Sequence, residues 1–346
     1  MKYLTVTLAV AAALASSTMV AASNMDQVNV PDVVRRASHK KHHRTCSSSD
    51  SSKHKSQKKT NTTSSAAKSN YKSGSKTSAS SGSSSDADSG SSDLSPSGGK
   101  MGLCWANADG MPIDNFDFGS VSWFYSWSTK PGWDKAPVDK LMYCPMLWGE
   151  KNKDDFKKDV LDNLDSKWNQ HKCAMAMNEV NQKGQSLMSA EEGCSLIEEY
   201  MLPLKNKGWY LMGPSTTNAP DGKTWYQQFR KACPSTFNKL DSIAIHYYGT
   251  SSDDFKNYLT DWHDTFGKDI WVTEFACTNF NGGAQCDKDK TNAFANEVAN
   301  WMNGKDWVKG WAPFAVIQNL QGVSETQRLS NGNNPTALFR TYANSN

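Results

Sequence analysis

Residues 242–275 read SIAIHYYGTSSDDFKNYLTDWHDTFGKDIWVTEF. The stretch opens on one apolar run, Ser242–Tyr247, and closes on another, Ile270–Phe275. Each is apolar nearly throughout, the pattern of a strand buried on both faces of a parallel sheet. Between them Asp253–Phe266 is amphipathic and predicts a helix. Working outward, the same period recurs. Further strands are predicted at Met101–Ala106, Val121–Trp127, Leu141–Trp148, Cys173–Asn178, Trp209–Gly213 and Gly310–Ile317, which makes eight. Asp154–Trp168 places Phe156, Val160, Leu161, Leu164 and Trp168 near a helical period. Ser189-Ala190-Glu191-Glu192 fits a capping box opening a helix to Lys207. Thr291–Met302 is also amphipathic, whereas Pro131 and Pro137 break any helix between the second and third strands. Eight strand–helix units in about 245 residues predict an α/β fold, a (β/α)8 TIM barrel. A doubly wound open sheet is the alternative, but no Gly-rich phosphate loop follows the first strand to support it.

Upstream of the barrel the composition changes. The net charge of +3 hides an asymmetry: Met25 to Lys100 carries 13 Lys/Arg and 6 Asp/Glu, whereas Met101 to Asn346 carries 24 and 29. A mildly acidic folded domain argues against nucleic acid as its partner, because phosphate neutralisation needs a basic surface. Met1 to Ala22 has the form of a secretory signal: Lys2, the apolar run Leu8–Ala15, then small residues at Val20-Ala21-Ala22. Secretion permits disulfides. About half of residues 47–100 are Ser or Thr, and Leu94 is their only large aliphatic side chain. Such a stretch buries too little apolar area to offset its ordering entropy, so it is expected to be disordered. Arg35-Arg36 reads as a dibasic processing site, and Asn61-Thr62-Thr63 is a glycosylation sequon. The cluster from His39 to Arg44 reads as a solvated spacer, with metal or an anionic wall polymer as the alternative ligand. The expected organisation is a signal peptide at 1–22, a basic Ser/Thr-rich pro-region and linker at 23–99, and one catalytic domain at 100–346. No apolar run after residue 22 approaches the roughly 20 residues of a membrane span.

In a barrel of this kind the site lies where the strands end. The fourth run ends in Asn178-Glu179, the sixth in His246-Tyr247-Tyr248 and the seventh in Thr273-Glu274-Phe275. Trp105, Trp123, Tyr125, Trp127 and Trp148 sit near the ends of the first three, within a chain of 13 Trp and 11 Tyr. Two carboxylates at opposite strand mouths can face each other across a bound sugar chain. Cleavage of a glycoside with retention needs such a pair about 5 Å apart, one proton donor and one nucleophile. The competing reading is a pair of rim carboxylates in ordinary ion pairs. There is no G-x-S-x-G elbow for an esterase, and His171, His246 and His263 show no metal spacing.

At these residues the sequence resembles a known family. Met101-Gly102-Leu103-Cys104-Trp105, Trp123-Phe124-Tyr125-Ser126-Trp127, Pro145-Met146-Leu147-Trp148-Gly149, Met177-Asn178-Glu179, Ile245-His246-Tyr247-Tyr248 and Trp271-Val272-Thr273-Glu274-Phe275-Ala276-Cys277 occur in order. Together they are similar to the fungal alkali-sensitive-linkage type of glycoside hydrolase, family 128, over roughly Gly102 to Tyr342. The resemblance implies a secreted or cell-wall endo-β-1,3-glucanase, or a β-1,3-glucan-binding wall protein. It implies Glu179 as acid/base, Glu274 as nucleophile and Asn178 as a hydrogen-bond partner of the sugar 2-hydroxyl. It places Tyr247 near the nucleophile and His246 at the cleaving subsite. Tyr248, Tyr125, Trp105, Trp123, Trp127 and Trp148 are the other candidate substrate contacts. The partner expected is β-1,3-glucan, with no cofactor or metal, and the protein is expected to be a monomer.

The sequence departs from the family pattern twice. Val180 follows the acid/base residue where Pro is usual. In Trp311-Ala312-Pro313-Phe314 the Trp expected beneath the cleaved sugar is replaced, with Pro313 at its position; Trp311 or Phe314 takes that place only if the register differs by one or two residues. Among the cysteines, Cys277 and Cys286 bracket a short loop and are the expected disulfide. Cys194 and Cys233 are a second candidate pair. Cys104, Cys144 and Cys173 fall in strands and are expected as buried thiols, and Cys46 in the tail as an intermolecular link.

Overall fold

The computed structural model describes Leu94 and residues 96–345. The signal sequence, the dibasic site, the sequon, the basic cluster, Cys46 and nearly all of the Ser/Thr-rich stretch lie outside them. All eight expected strands form: β1 Met101–Cys104, β2 Val121–Tyr125, β3 Met142–Tyr143, β4 Cys173–Met175, β5 Tyr210–Met212, β6 Ser242–Tyr248, β7 Asp269–Ala276 and β8 Val308–Pro313. They pair in parallel in the order β3-β2-β1-β8-β7-β6-β5-β4. The two ends of that order meet. Met146 bridges Met175 in parallel, the Met175 amide donates to the Pro145 carbonyl at 2.9 Å, and the Leu147 amide donates to the Met175 carbonyl at 2.9 Å. The fold is the expected (β/α)8 barrel. β3 is shorter than its apolar run, because Pro145 supplies no ladder donor.

The seam between β3 and β4 is also covalent. Cys144 and Cys173 form a disulfide with Cα atoms 5.2 Å apart. This corrects the expectation of two buried thiols. Both residues face the barrel interior from neighbouring strands, two positions before Met146 and Met175 respectively, so the closing register sets them side by side. Cys194–Cys233 and Cys277–Cys286 are bonded as expected, and Cys104 is a buried free thiol.

The strands look apolar throughout because each contributes to two cores. One side chain set fills the interior, including Trp123, Tyr125, Met175, Met212 and Trp271. The alternate set, including Phe124, Ile243, Ile245, Val272 and Phe275, packs outward against helix residues such as Phe255, Leu259 and Val298. Trp123 and Trp271 meet edge to face at 4.9 Å inside the barrel. Glycine is required beside them: a Cβ on Gly102 would lie 2.1 Å from the Trp123 ring, and one on Gly310 2.2 Å from that of Trp271. Leu94 packs against the same interior cluster, and Ser122 donates to the Gly99 carbonyl at 2.7 Å. Chain just before residue 100 therefore contributes to the barrel.

The capping box forms as read: Ser189 Oγ accepts from the Glu192 amide at 3.2 Å, and Glu192 accepts from the Ser189 amide at 2.7 Å. Helices Ser252–Phe266 and Lys288–Asn303 also match. The segment predicted as one helix from Asp154 to Trp168 is helical only from Lys153 to Leu161, and Trp168 lies in a separate short turn. Asn163, Asp165 and Ser166 intervene, residues whose side chains compete for backbone hydrogen bonds. Pro220–Ala232, Pro234–Lys239 and Ala337–Ala343 are helices that periodicity did not mark; two of them start on proline, which suits a first helical position. Among the described residues no helix is long and apolar enough to cross a membrane.

Candidate active site

The mouth of the barrel is shaped by two local departures from regular strand. In β7 one extra residue is inserted: Ile245 pairs with Val272, but His246 pairs with Glu274. Thr273 is the extra residue, and such a bulge re-aims the side chain after it. The displaced Thr273 carbonyl still needs donors in a buried place. It accepts from the Tyr125 hydroxyl at 2.8 Å and from Cys104 Sγ at 3.3 Å. Burial, then the Glu274 charge, push the Cys104 thiol up, so it keeps the proton it donates.

The second departure is at Glu179, whose φ is 49°. That left-handed conformation is uncommon for a residue with a side chain and persists only when neighbours enforce it. Here they do. The Asn178 amide donates to Trp148 O at 3.0 Å, the Glu179 amide to Ser215 Oγ at 3.0 Å and the Val180 amide to Ser215 O at 3.1 Å. Trp127 is held likewise at φ 52°. Its indole donates to Glu274 Oε1 at 2.8 Å.

Around these turns the two carboxylates converge. The Tyr248 hydroxyl donates to the other Glu274 oxygen at 2.7 Å. His246 Nδ1 lies 2.9 Å from Glu179 Oε1 and 3.5 Å from Glu274 Oε2, while its Nε2 meets Thr273 Oγ1 at 3.1 Å. One oxygen from each carboxylate and one His246 nitrogen all lie within 4.8 Å of one another, and all three residues are buried. Burial pushes the Glu274 carboxyl up, the His246 charge pulls it down and the Glu179 charge pushes it up again; bonds from Tyr248 and Trp127 pull it down, and the net direction is up. For His246, burial opposes the charged ring, but the Glu274 charge and the bond and charge of Glu179 outweigh it, so its pKa is also raised. Glu274 and His246 therefore hold their protons to higher pH than the free groups would. By donor type the three residues also suit a divalent cation, yet His246 Nδ1 and both Glu274 oxygens already have hydrogen-bond partners.

Several candidate substrate contacts lie elsewhere. Trp105 is fully buried, packs edge-on against Phe116 at 5.7 Å and donates to Ala108 O. Trp123 fills the interior, with its indole bonded to Lys100 O. Tyr125 is spent on the Thr273 carbonyl beneath the site. Tyr247 points outward onto Phe255 and Tyr258, at 5.1 and 5.5 Å; Tyr248, one residue on, takes the place beside the nucleophile candidate. None of the first four is free to touch a sugar. Those brought together are Asn178, Glu179, His246, Tyr248, Glu274 and Trp127. Asn178 donates to Gln185 Oε1 at 3.2 Å. Trp148 is half-buried and lines an adjoining cavity of about 520 Å³ with Gln185, Leu187 and Glu192.

Strand β8 resolves the register question. Pro313 is buried and pairs with Phe275. Phe314 instead stands at the mouth, 6.1 Å from the Trp127 ring and 6.0 Å from that of Tyr248, and its peptide bond to Ala315 is cis. It is the β8 aromatic at the mouth, one of the two side chains that the sequence offers there if the register differs. Phe314→Ala is expected to lower kcat about tenfold with little change in KM, as loss of a transition-state contact does. Pro313→Trp is expected to give no kinetic gain and to destabilise by about 1–3 kcal/mol through overpacking. Steady-state kinetics and thermal melts on the two variants check both.

Comparison with known proteins follows the same line. Residues 102–342 match the family described as glycosyl hydrolase catalytic core. The chain is 25% identical over 236 residues to alkali-sensitive linkage protein 1 of Schizosaccharomyces pombe, a match that takes in 67% of this chain and 42% of that protein's length. A GH128 (subgroup III) curdlan-specific exo-β-1,3-glucanase from Blastomyces gilchristii, solved with glucose, is 28% identical with a TM-score of 0.59, covering 72% of this chain and 99% of that one. A subgroup V exo-β-1,3-glucanase from Cryptococcus neoformans (21%, TM-score 0.61, 71% and 99% covered) and a subgroup I endo-β-1,3-glucanase from Amycolatopsis mediterranei solved with laminaritriose (22%, 0.56, 71% and 97%) share the fold.

Proposed function

Because the chain belongs to the glycosyl hydrolase catalytic core family, we propose that it is a secreted glucan endo-1,3-β-glucosidase that cleaves wall β-1,3-glucan with retention of configuration. The observation that carries the reaction class is the carboxylate spacing, one oxygen of Glu179 lying within 4.8 Å of one of Glu274. Retaining enzymes hold their two carboxyl groups about 5–5.5 Å apart, whereas inverting ones leave roughly 6.5–9.5 Å for a water.

In this reading Glu274 is the nucleophile. Two donors, Trp127 Nε1 and Tyr248 Oη, fix both of its oxygens and favour the ionised form that attacks the anomeric carbon. Glu179 is the acid/base: it protonates the departing glucosidic oxygen, then takes a proton from the water that releases the sugar. His246 lies between them and shares the proton. Asn178, held by Gln185, faces the sugar 2-hydroxyl, and Phe314, Trp127 and Trp148 supply apolar faces for pyranose rings. No cofactor takes part. Substrate class is supported by the likeness to the curdlan-specific glucanase, and chain-internal cleavage is the part of the reading that product analysis decides. Residues 1–22 direct export, and the segment from 23 to the chain that meets the barrel near Leu94 is a spacer before a monomeric domain; three disulfides suit an extracellular protein. The Ser-rich tail and Pro313 favour a binding-only wall protein as the alternative; Phe314 at the mouth speaks against the second of these grounds.

The test is reducing-sugar release from β-1,3-glucan, cellulose, chitin and mannan, with the first product followed by proton NMR. Activity is expected on β-1,3-glucan alone, with the β-anomer first and mid-length oligomers before glucose. An α-anomer first would overturn retention, and glucose as the sole early product would overturn internal cleavage.

A further inference from the structure

Among the described residues two large apolar side chains stand exposed, Leu187 at 59% and Phe280 at 38%. Leu187 lies on the loop after β4, a loop that also carries Glu179, and Phe280 on the loop after β7, the strand that carries Glu274. Leu187 lines the cavity beside Trp148. Phe280 has no part in the machinery described so far, and its surroundings are unusual for a loop residue.

The loop that carries it is fixed at every level. Its base is the Cys277–Cys286 disulfide, with Cα atoms 5.9 Å apart. Inside it, the Asn279 amide donates to Gln285 Oε1 at 2.9 Å, Gln285 Nε2 donates to Asn279 O at 2.6 Å, and the Asn281 amide donates to Asn279 Oδ1 at 2.8 Å. Gly282 makes the reversal at φ 77°. The base is tied to the barrel: the Cys277 amide donates to Gln327 Oε1 at 3.0 Å, and Thr326 Oγ1 donates to Cys286 O at 3.0 Å. These bonds hold an aromatic ring that is 38% exposed, a placement that leaves apolar area in water.

What the ring gains is position. It lies 5.2 Å from the ring of Tyr248, at 63°. Tyr248 in turn donates to Glu274 Oε2. Phe280 is therefore one ring away from the nucleophile, and Tyr248 between them packs on a satellite apolar cluster of Ala276, Leu320 and Val323 bordered by Phe314 and Ile317. A pyranose in a β-linked chain presents a face of C–H groups, and an exposed aromatic face beside a polar cleft is what such a face stacks on.

We propose that Phe280 is a sugar-stacking platform that holds a glucosyl unit beyond the one being cleaved, kept in place by the Cys277–Cys286 loop. The inference rests on the glucan reading above. It makes Phe280 a residue that sets how substrate length is sensed, not one that acts in the bond-breaking step.

The experiment compares the full-length protein with Phe280→Ala and Phe280→Trp on a substrate series from β-glucosyl fluoride, which has one ring, to the β-1,3-linked hexamer. Phe280→Ala is expected to raise KM about fivefold on the hexamer, the scale of one stacking contact, with kcat unchanged and with glucosyl fluoride turned over normally. Phe280→Trp should restore the hexamer KM. In a Glu274→Gln background, Phe280→Ala should also lose retardation in a gel containing soluble β-1,3-glucan. A wild-type hexamer KM in Phe280→Ala overturns the proposal, and so does an equal fall in kcat on every substrate, which would make Phe280 a mere support for Tyr248. If the wild type cleaves no β-1,3-glucan and the Glu274→Gln protein does not bind it, the glucan reading itself fails, an outcome distinct from either.

Discussion

Replacing Glu274 by alanine is expected to abolish glucan turnover, lowering kcat by about five to six orders of magnitude, as loss of a catalytic nucleophile does. No other described carboxylate is placed to substitute, because Glu179 lies across the cleft and is engaged with His246. The space left by the side chain is bounded by the Trp127 indole and the Tyr248 hydroxyl, both donors aimed at the missing oxygens. Added azide should enter that space and attack from the nucleophile's side. With β-glucosyl fluoride the product should then be the α-glucosyl azide, a single inversion in place of two. Fold integrity is checked by the thermal midpoint, which should hold or rise: the variant removes a buried carboxylate whose ionised form is opposed by burial and by its like-charged neighbour. Wild-type-like hydrolysis by this variant would falsify the nucleophile assignment.

Glu179→Gln is expected to behave differently. On glucan its kcat should fall by about two to four orders of magnitude, the usual contribution of a general acid–base group. With dinitrophenyl β-glucoside the leaving group departs unaided, so the glycosyl-enzyme should form and then stall for want of a base. A burst of dinitrophenolate followed by a slow steady state is the signature. Azide needs no base and should restore turnover, giving the β-azide with configuration retained. The alkaline limb of the kcat/KM profile should also disappear with dinitrophenyl β-glucoside as substrate. In the parent that limb is expected to follow loss of the His246 proton, whose pKa is raised above its ordinary 6.5 and whose ring bonds Glu179. An unchanged limb in the variant would show that another group supplies the proton.

The barrel was legible in the sequence because strands buried on both faces leave long apolar runs, and eight of them spaced by helices admit few architectures. The carboxylates were legible because they end such runs. The parity of each strand was not. An all-apolar run gives no sign of which residues face the interior, so Tyr247 and Tyr248 were indistinguishable, and Trp105 and Trp123 looked like sugar platforms when both are core. The β7 bulge was equally hidden, since a single inserted residue leaves no mark on composition. Phe314 was obscured for the same reason, one residue deciding which side chain reaches the mouth. The Cys144–Cys173 bond depends on which two strands close the cylinder, a fact of long-range register that no local pattern carries.

That bond has a practical side. It joins the two strands at which the cylinder closes, six residues before Glu179, and a second bond begins three residues after Glu274. Glu179 thus follows, and Glu274 stands on, a strand with a covalent clamp. A crosslink spanning 29 residues is worth roughly 3–4 kcal/mol by chain entropy, a sizeable share of what keeps an ordinary domain folded. Oxidative maturation is accordingly part of building the barrel that positions both carboxylates. Production in a reducing bacterial cytoplasm would deliver chains with an open stave, whereas routing the same chains through an oxidising compartment with a disulfide isomerase would deliver the closed cask.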